Sequence, residues 1–307
     1  MSTQIHYDLA ASIGKVHLQV TDLPASLAFY QNVIGFQVLE QTDNKAMLTA
    51  DGENVLLTIE QPDPVYPKQG RTTGLYHFAI LLPSRKDLAK ALIHLLEERY
   101  PLQGASDHQF SEAIYLADPD GNGIEIYADR LRKLWEYQNG FLTAVTDPLD
   151  AENLLQEADD TPWSALPAGT VIGHIHLHES DLDKARTFYH QGLGMTITLT
   201  IGGHALFVSA GGYHHHVGLN TWNGKRIAAP NPQSVGLVHY SIQFEDEASL
   251  KRSLEGLENI GVTPVREQGS LWVTDPFGHK IKLLKKKSTD KKPVLQFPFL
   301  QLVHLPA

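Results

Sequence analysis

Histidine is the residue type most able to do chemistry in this sequence. The 307 residues include 16 histidines and no cysteine, so thiol catalysis, disulfides, zinc-thiolate sites and iron–sulfur clusters are excluded. Any bound metal must therefore be held by imidazole and carboxylate groups. Several histidines lie in apolar runs such as LYHFAILLP (75–83) and IGHIHLH (172–178), and three are consecutive at 214–216.

Charge and hydropathy limit the partners and the location. Lysine and arginine number 25 against 35 aspartates and glutamates, a net charge of −10, which disfavours nucleic acid and anionic membranes as partners. No apolar stretch approaches the ~20 residues that span a bilayer. The start, MSTQIHYDLAAS, lacks the basic and apolar regions of a signal peptide, so we expect a cytoplasmic protein.

The elements that position the histidines come in repeats. Residues 13–18 (IGKVHL) match 172–177 (IGHIHL) at an offset of 159, and residues 74–80 (GLYHFAI) match 236–242 (GLVHYSI). A chain of this length suggests two domains, and the repeats divide it further. Four units follow from these matches: 13–61, 74–129, 171–223 and 236–285.

Each unit has the same predicted order of elements. An apolar or alternating run predicts a strand, a capping residue then predicts the start of a helix, and short strands separated by Gly- and Asp-rich turns follow. The predicted class is α+β, built from four βαβββ modules. Residues 1–129 and 171–285 each hold two modules, and a linker over 130–170, with a helical stretch RLRKLWEY, joins them. A tail over 286–307 follows, and KKKSTDKKP (285–293) is expected to be a solvated charge run. The predicted helix caps are Asp22, Ser84, Asp181 and Asp246.

The repeated unit resembles the vicinal oxygen chelate superfamily, which includes glyoxalases, bleomycin resistance proteins and extradiol dioxygenases. A sharper signature, His108-x5-Ile-Tyr-x2-Asp-Pro-x-Gly-x3-Glu125, resembles that of extradiol ring-cleavage dioxygenases, except for Ser106 two residues before the histidine. LYHFAILLP (75–83) and GGYHHHVGLNTW (211–222) are similar to the bacillary catechol 2,3-dioxygenases. The resemblance implies modules paired into two open-cup half-barrels, with a metal in a cup.

The resemblance also implies the ligand positions. One ligand lies on the first strand of each paired module, seven residues before the helix cap, and a carboxylate lies on the last strand of one module. Only the pairing of units two and three places two histidines and a carboxylate there: His77, His174 and Glu125. That set suits Fe(II) because it leaves coordination positions open, and Mn(II) binds the same set. The other two units place Lys15, His239 and Lys282 at these positions, and we expect no metal there.

Alternative ligand assignments stay open from the sequence. His17 and His176 each lie two residues along a strand from a ligand position and face the same way. Sequential pairing of units one and two would make His17 a ligand with His77 and Glu125. A histidine on an apolar strand can also be an ordinary core residue.

The resemblance implies further site residues. His215 matches the acid–base histidine on the last strand of unit three, and Tyr115 matches a tyrosine that hydrogen-bonds the metal-bound substrate oxygen. His108 is similar to a second pocket histidine. Asn220 and Trp222 are candidates to line an aromatic pocket, although Trp222 could simply pack and the triple histidine could be a chance cluster or an adventitious metal site.

Three functions remain from different classes. The first is a metal-dependent extradiol dioxygenase that opens a catechol-type aromatic diol with O₂. The second is a non-catalytic member of the superfamily that binds a small molecule. The third is a glyoxalase-type isomerase or lyase. The sequence does not identify the particular catechol, and it leaves open whether the chain forms a homo-oligomer.

Overall fold

The computed structural model describes residues 9–286, which contain 19 strands. In chain order they are β1 (Ala11–Gln19), β2 (Gln37–Gln41), β3 (Lys45–Thr49), β4 (Val55–Glu60), β5 (Gly74–Leu81), β6 (Gly104–Asp107), β7 (Ser111–Ala117), β8 (Gly123–Asp129), β9 (Tyr137–Gln138), β10 (Phe141–Leu142), β11 (Asp147–Pro148), β12 (Val171–His178), β13 (Thr196–Ile201), β14 (Ala205–Ser209), β15 (Val217–Asn220), β16 (Gly236–Phe244), β17 (Val265–Glu267), β18 (Ser270–Thr274) and β19 (Lys280–Lys285).

The helices follow the first strand of each unit, with one more in the linker. They are α1 (Leu23–Phe29), α2 (Arg85–Glu97), α3 (Ala151–Leu155), α4 (Leu182–Arg186) and α5 (Glu247–Asn259). The π-helical turns Tyr30–Ile34 and Thr187–Gly192 extend α1 and α4.

The four predicted helix caps are confirmed. Each side chain accepts a hydrogen bond from a backbone N–H of the first turn, as Ser84 does from Asp87 and Asp246 does from Ser249. Asp22 and Asp181 do the same at α1 and α4. Such a cap satisfies donors that the helix cannot satisfy itself and contributes about 1 kcal/mol.

The strands form two large sheets. Each sheet combines one unit from the N-terminal half of the chain with one unit from the C-terminal half. The first has the order β17-β18-β19-β16-β1-β4-β3-β2 and joins units one and four. The second has the order β11-β6-β7-β8-β5-β12-β15-β14-β13 and joins units two and three. The predicted α+β class with four modules in two cups is confirmed, and the favoured pairing of units two and three is the observed one.

One hydrophobic core joins both sheets to the helices. It includes Leu18 of β1, Phe78 of β5 and Ile175 of β12. Two equivalent hydrogen bonds cross between the sheets. Tyr30 of unit one donates to Asp118 of unit two at 2.9 Å, and Tyr189 of unit three donates to Asp275 of unit four at 2.9 Å. These bonds connect the first helix of one unit to the Asp-Pro-x-Gly turn of the next.

The segment 130–170 is more than a linker, and the helix predicted over 130–137 is wrong. The segment forms a 3₁₀ turn at Arg132–Leu134, the β9–β10 hairpin, α3, and β11, which pairs with β6. Trp135 is buried against Phe110 and Leu142, and this tertiary packing outweighs the local helix propensity.

Two further expectations concern the ends of the chain and the membrane. The predicted tail over 286–307 lies, apart from Lys286, outside the described residues, and so does most of the charge run at 285–293. Within residues 9–286, none of the helices combines the length and the apolar character needed to cross a membrane.

Candidate metal centre and its cavity

Three adjacent strands of the second sheet bring His77, Glu125 and His174 to one place. Ala79 on β5 pairs with Glu125 on β8 and with His174 on β12. His77 lies two residues from Ala79 and therefore points to the same face of the sheet. The strand register alone thus projects two imidazoles and one carboxylate from one face.

The donor atoms of these side chains converge. Glu125 Oε2 lies 3.1 Å from His77 Nε2 and 3.2 Å from His174 Nε2, and the two Nε2 atoms are 3.3 Å apart. Two donors about 2.1 Å from one ion are about 3.0 Å apart when their bonds make a right angle. The three separations therefore fit a facial set of ligands on a single metal ion, with the opposite face open to other ligands.

The electrostatics of the set favour a divalent cation. Burial alone would raise the pKa of Glu125, but contacts with His174 and His77 outweigh it and hold that pKa well below its usual range. Burial, partly opposed by Glu125, lowers the pKa of His174 to about 4. A carboxylate beside an unprotonated imidazole is the form in which these groups coordinate metals.

A cavity of about 720 Å³ opens onto this site. Its lining includes His77, Glu125, Tyr115 and His215, whereas His174 is not part of the lining. The rest of the wall is mostly apolar and comes from several segments, including the linker: Phe110, Leu142, Ala144, Val145, Leu199, Ile201 and Phe207. The cavity is therefore large enough for an aromatic ring with substituents, and apolar enough to receive it.

His215 lies beside the triad, where the sequence placed it. Its ring centre is 4.1 Å from that of His174, and the ring lines the cavity. Burial, followed by the charges of neighbouring histidines, lowers the pKa of His215 well below the usual value. A neutral imidazole at this place can accept a proton from a bound ligand.

Tyr115 and His108 form one hydrogen-bonded pair at the cavity wall. His108 Nδ1 donates to the backbone carbonyl of Val145 at 2.7 Å. Its other nitrogen, Nε2, therefore carries no hydrogen in the neutral ring and accepts from the Tyr115 hydroxyl at 2.7 Å. Tyr115 is also the β7 residue directly opposite Glu125, so the pair stands next to the triad.

Trp222 and Asn220, the two residues expected to line an aromatic pocket, have different surroundings in the structure. Trp222 lines the cavity and is 51% exposed, which places it at the rim. Asn220 is fully buried and does not line the cavity, and its expected contact with substrate stays a prediction. Its amide group is occupied, because Nδ2 donates to His176 Nε2 at 3.0 Å and Oδ1 accepts from His178 Nδ1 at 2.9 Å.

The two alternative ligands, His17 and His176, make other contacts in the structure. His17 belongs to the first sheet, where its Nε2 lies 3.0 Å from Glu60 Oε2, so it is remote from the set around Glu125. His176 is the β12 residue opposite His77, but its Nε2 is engaged by Asn220. These contacts favour His174 over both histidines as the third member of the set.

The first sheet carries a different set at the equivalent positions. Lys282 Nζ lies 5.3 Å from the ring centre of Trp272, and the ring of His239 lies 4.9 Å from that of Trp272. Burial, His17 and Lys282 lower the pKa of His239 to about 3. The expectation that this cup holds no metal stays a prediction.

A second group of three donor residues, Glu179, Asp275 and His279, is buried in the described part of the chain. Asp275 already accepts four hydrogen bonds at 2.9 Å: the backbone N–H groups of Phe277 and His279 on one oxygen, and Tyr189 and His279 Nδ1 on the other. These bonds satisfy the Asp275 carboxylate and link it to the Asp-Pro-Phe-Gly turn, whereas both carboxylate oxygens of Glu179 are buried without a hydrogen-bond partner in the described residues.

Sequence reasoning missed two residues behind His215. His214 Nδ1 lies 2.7 Å from His215 Nδ1, and His214 Nε2 lies 3.0 Å from Asp129 Oδ1. The triple histidine was the available signal for His214, whereas Asp129 comes from another module and only the fold brings it close. The linker residues of the cavity wall had no signal, because the segment 130–170 belongs to no repeat.

Comparisons with known proteins agree with this architecture. A model of the Glyoxalase/Bleomycin resistance protein/Dioxygenase superfamily matches residues 12–126 and 171–283. The chain is 48% identical over 278 residues to a catechol-2,3-dioxygenase of Bacillus subtilis (strain 168), covering 89% of this chain and 96% of that relative. It is 30% identical over 118 residues to biphenyl-2,3-diol 1,2-dioxygenase 3 of Rhodococcus globerulus, covering 36% of this chain and 60% of that relative. Among solved structures, glyoxalase I from Zea mays has a TM-score of 0.56 at 16% identity, covering 90% of this chain and 92% of that one. This last likeness is one of fold.

Proposed function

Because the chain belongs to the Glyoxalase/Bleomycin resistance protein/Dioxygenase superfamily, we propose that the triad and its cavity make it a metal-dependent extradiol dioxygenase acting on a catechol-type diol with O₂. The extensive identity to a catechol-2,3-dioxygenase supports the same reaction. The observation that carries the proposal is the convergence of His77, Glu125 and His174 beside a largely apolar cavity, whose lining includes His77 and Glu125.

The proposed resident metal is Fe(II), with Mn(II) as the alternative. Two imidazoles and one carboxylate on one face are the ligand set of non-haem iron enzymes that activate oxygen. When bound there, the metal would supply neighbouring positions for the diol oxygens and for dioxygen. The single carboxylate favours this chemistry over the glyoxalase-type alternative.

His215 is proposed to handle the proton in this reaction. A diol must lose a proton to become a good metal ligand, and a neutral imidazole beside the triad can take it. The ring of His215 meets this requirement, because it lines the cavity 4.1 Å from the ring of His174. The same group can return the proton to the ring-opened product.

Tyr115 and His108 are proposed to orient the diol. The Tyr115 hydroxyl donates to His108 Nε2, so its oxygen lone pairs stay available to accept a hydrogen bond from a bound hydroxyl. Burial raises the pKa of Tyr115 far above its usual value, which keeps the phenol protonated at any working pH. Trp222 at the rim is proposed to contact the ring.

The cavity wall favours an uncharged catechol. The side chains that line it include no lysine or arginine among the described residues. A carboxylate on the substrate ring would therefore be buried without a cationic partner, which is costly. An apolar substituent would instead contact Leu142 and Val145 of the linker and Phe207 of β14.

The test measures iron content and oxygen uptake with catechol. Glu125→Ala should lose both together, since it removes the triad's anionic ligand. His215→Phe should keep its iron while turnover falls ~10²–10⁴-fold, the usual contribution of a positioned acid–base group.

The matched control is Glu60→Ala, which removes the carboxylate beside His17 in the first sheet and should change neither quantity. Loss of iron from His215→Phe as complete as from Glu125→Ala would make His215 a ligand. A wild-type protein that holds iron but consumes no oxygen with any catechol would replace the enzyme by the binding-protein hypothesis.

A further inference from the structure

We infer that Asp129 and His214 act as positioning residues that fix which ring nitrogen of His215 carries the hydrogen, leaving Nε2 of His215 bare. The inference rests on the proposed function in one respect, namely that His215 handles the substrate proton. Asp129, His214 and His215 form a line of hydrogen bonds, and the last two of these residues line the cavity.

Hydrogen counting along this line gives the tautomer. Asp129 Oδ1 lies 3.0 Å from His214 Nε2 and, as a carboxylate oxygen, can only accept. The hydrogen of a neutral His214 ring is therefore on Nε2, and its Nδ1 must accept. His214 Nδ1 lies 2.7 Å from His215 Nδ1, so the hydrogen of that bond belongs to His215 Nδ1.

The consequence falls on the other nitrogen of His215. A neutral ring with its hydrogen on Nδ1 has a bare Nε2. No hydrogen bond to that nitrogen is found in residues 9–286, and the ring lines the cavity. His215 is thus set to accept a proton from a bound diol, whereas the opposite tautomer would present an N–H group and could not.

The counting applies to a neutral His214 ring, and that ring is enclosed by aromatic neighbours. The side chain is fully buried, stacked on Phe110 with ring centres 4.5 Å apart and packed on Tyr213 at 4.0 Å. Its ring centre is 6.0 Å from that of His174, so a cation held by the triad would repel a second positive charge here.

The carboxylate that begins the line is itself held in place. Tyr213 donates to the same Oδ1 of Asp129 at 3.2 Å, and the hydroxyl of Tyr213 is 2.7 Å from that of Tyr127. Asp129 ends β8, the strand that carries Glu125. One strand therefore supplies both a ligand of the triad and the anchor of the acid–base histidine.

The experiment reads the tautomer directly. The protein is labelled with ¹⁵N-histidine and loaded with zinc, which is diamagnetic, and the ring nitrogens of His215 are observed by NMR. Their signals are assigned from their absence in His215→Gln. The wild type should show hydrogen on Nδ1 and a bare Nε2.

Two variants and a matched control test whether His214 and Asp129 determine the tautomer of His215. His214→Phe keeps the ring that stacks on Phe110 but removes both hydrogen bonds, and Asp129→Ala removes the acceptor. Both should shift the His215 ring toward hydrogen on Nε2 and lower kcat of the iron-loaded enzyme ~10²-fold or more, with iron content and KM little changed. Tyr213→Phe deletes one hydroxyl bonded to the same carboxylate and should preserve the tautomer.

The outcomes separate this inference from the proposed function. Hydrogen on Nε2 of His215 in the wild type, or a His214→Phe variant that matches Tyr213→Phe in both spectrum and kcat, would overturn the inference even if oxygen is consumed. The expected tautomer in a protein that consumes no oxygen would sustain the positioning role and refute only the dioxygenase function. If His214→Phe does not fold, Asp129→Ala decides between the same two spectra.

Discussion

Gly173, the neighbour of His174 on β12, occupies a position where any side chain should disturb the metal centre. A Cβ atom there would lie 1.8 Å from the hydroxyl oxygen of Tyr127, 2.7 Å from its Cζ and 3.0 Å from Leu81 Cβ. Ordinary contacts of a Cβ begin at 3.4 Å. Gly173→Ala therefore requires a shift of more than an ångström in a ring that is fully buried.

The expected cost follows from what Tyr127 contacts. Overpacking of a close-packed core costs about 1–3 kcal/mol, and the 2.7 Å bond from Tyr127 to Tyr213 would stretch, at about 1 kcal/mol more. The lower entropy of an unfolded chain with Ala returns up to about 1 kcal/mol. We expect a net loss of about 2–3 kcal/mol in the free energy of unfolding.

The same shift should reach the triad. The ring centre of Tyr127 lies 5.0 Å from that of His174, so a displaced Tyr127 ring moves a proposed ligand. Loss of support for a ligand typically weakens metal binding 10–100-fold. Iron affinity in Gly173→Ala should fall by that factor.

The assay is urea unfolding of the metal-free protein together with an iron titration. Gly70→Ala is the matched control, because a Cβ at Gly70 would meet no atom within 4 Å. Adding Tyr127→Phe to Gly173→Ala removes the atom in closest contact and should recover part of the loss beyond additivity. A Gly173→Ala protein within 0.5 kcal/mol of the control, or a double variant without recovery, would refute the steric reasoning.

Two further perturbations test the buried acid at the Asp-Pro-Phe-Gly turn and the hydroxyl at the cavity wall. Burial, partly opposed by His279, raises the pKa of Glu179 from 4.5 to about 7, so this carboxyl stabilises the fold below pH 4.5 and loses that contribution as the pH rises through 7. Glu179→Gln should lack this loss. The free energy of unfolding of the variant minus that of the wild type, measured in urea, should therefore rise by about 3 kcal/mol between pH 4.5 and pH 7.5. A difference that does not change with pH would contradict the assignment. Tyr115→Phe removes the hydroxyl bonded to His108 and should lower kcat about tenfold with iron content unchanged, a smaller effect than that of Glu125→Ala; loss of iron from this variant would show that Tyr115 holds the site together instead of orienting the diol.

Local features of the sequence determined most of the architecture. The helix that follows the first strand of each unit begins directly after the capping residue predicted for it, because a cap depends on hydrogen bonds within three residues. The repeats predicted the four modules, since each module meets the same local requirements. The residue types at equivalent positions also restricted the pairing, because only units two and three supply His77, Glu125 and His174.

Other features depended on contacts between distant segments. Trp135 is drawn into an aromatic cluster, and the stretch around it forms a 3₁₀ turn and a hairpin where local propensity predicted a helix. Asn220 follows the histidine run toward the cavity in sequence, but its amide turns to His176 and His178 instead.

The line of hydrogen bonds from Asp129 to His215 shows the same difference between what the sequence indicates and what the fold decides. The family resemblance implied a place for His215 in the site, and the structure brings its ring to the triad. Asp129, which anchors the line, lies 85 residues from His214 along the chain. The two become neighbours only when β8 and the loop before β15 meet across the seam of two modules. Ligand types and caps are determined by short-range chemistry, whereas hydrogen-bond partners and cavity walls are determined by which surfaces pack together, and that choice belongs to the whole fold.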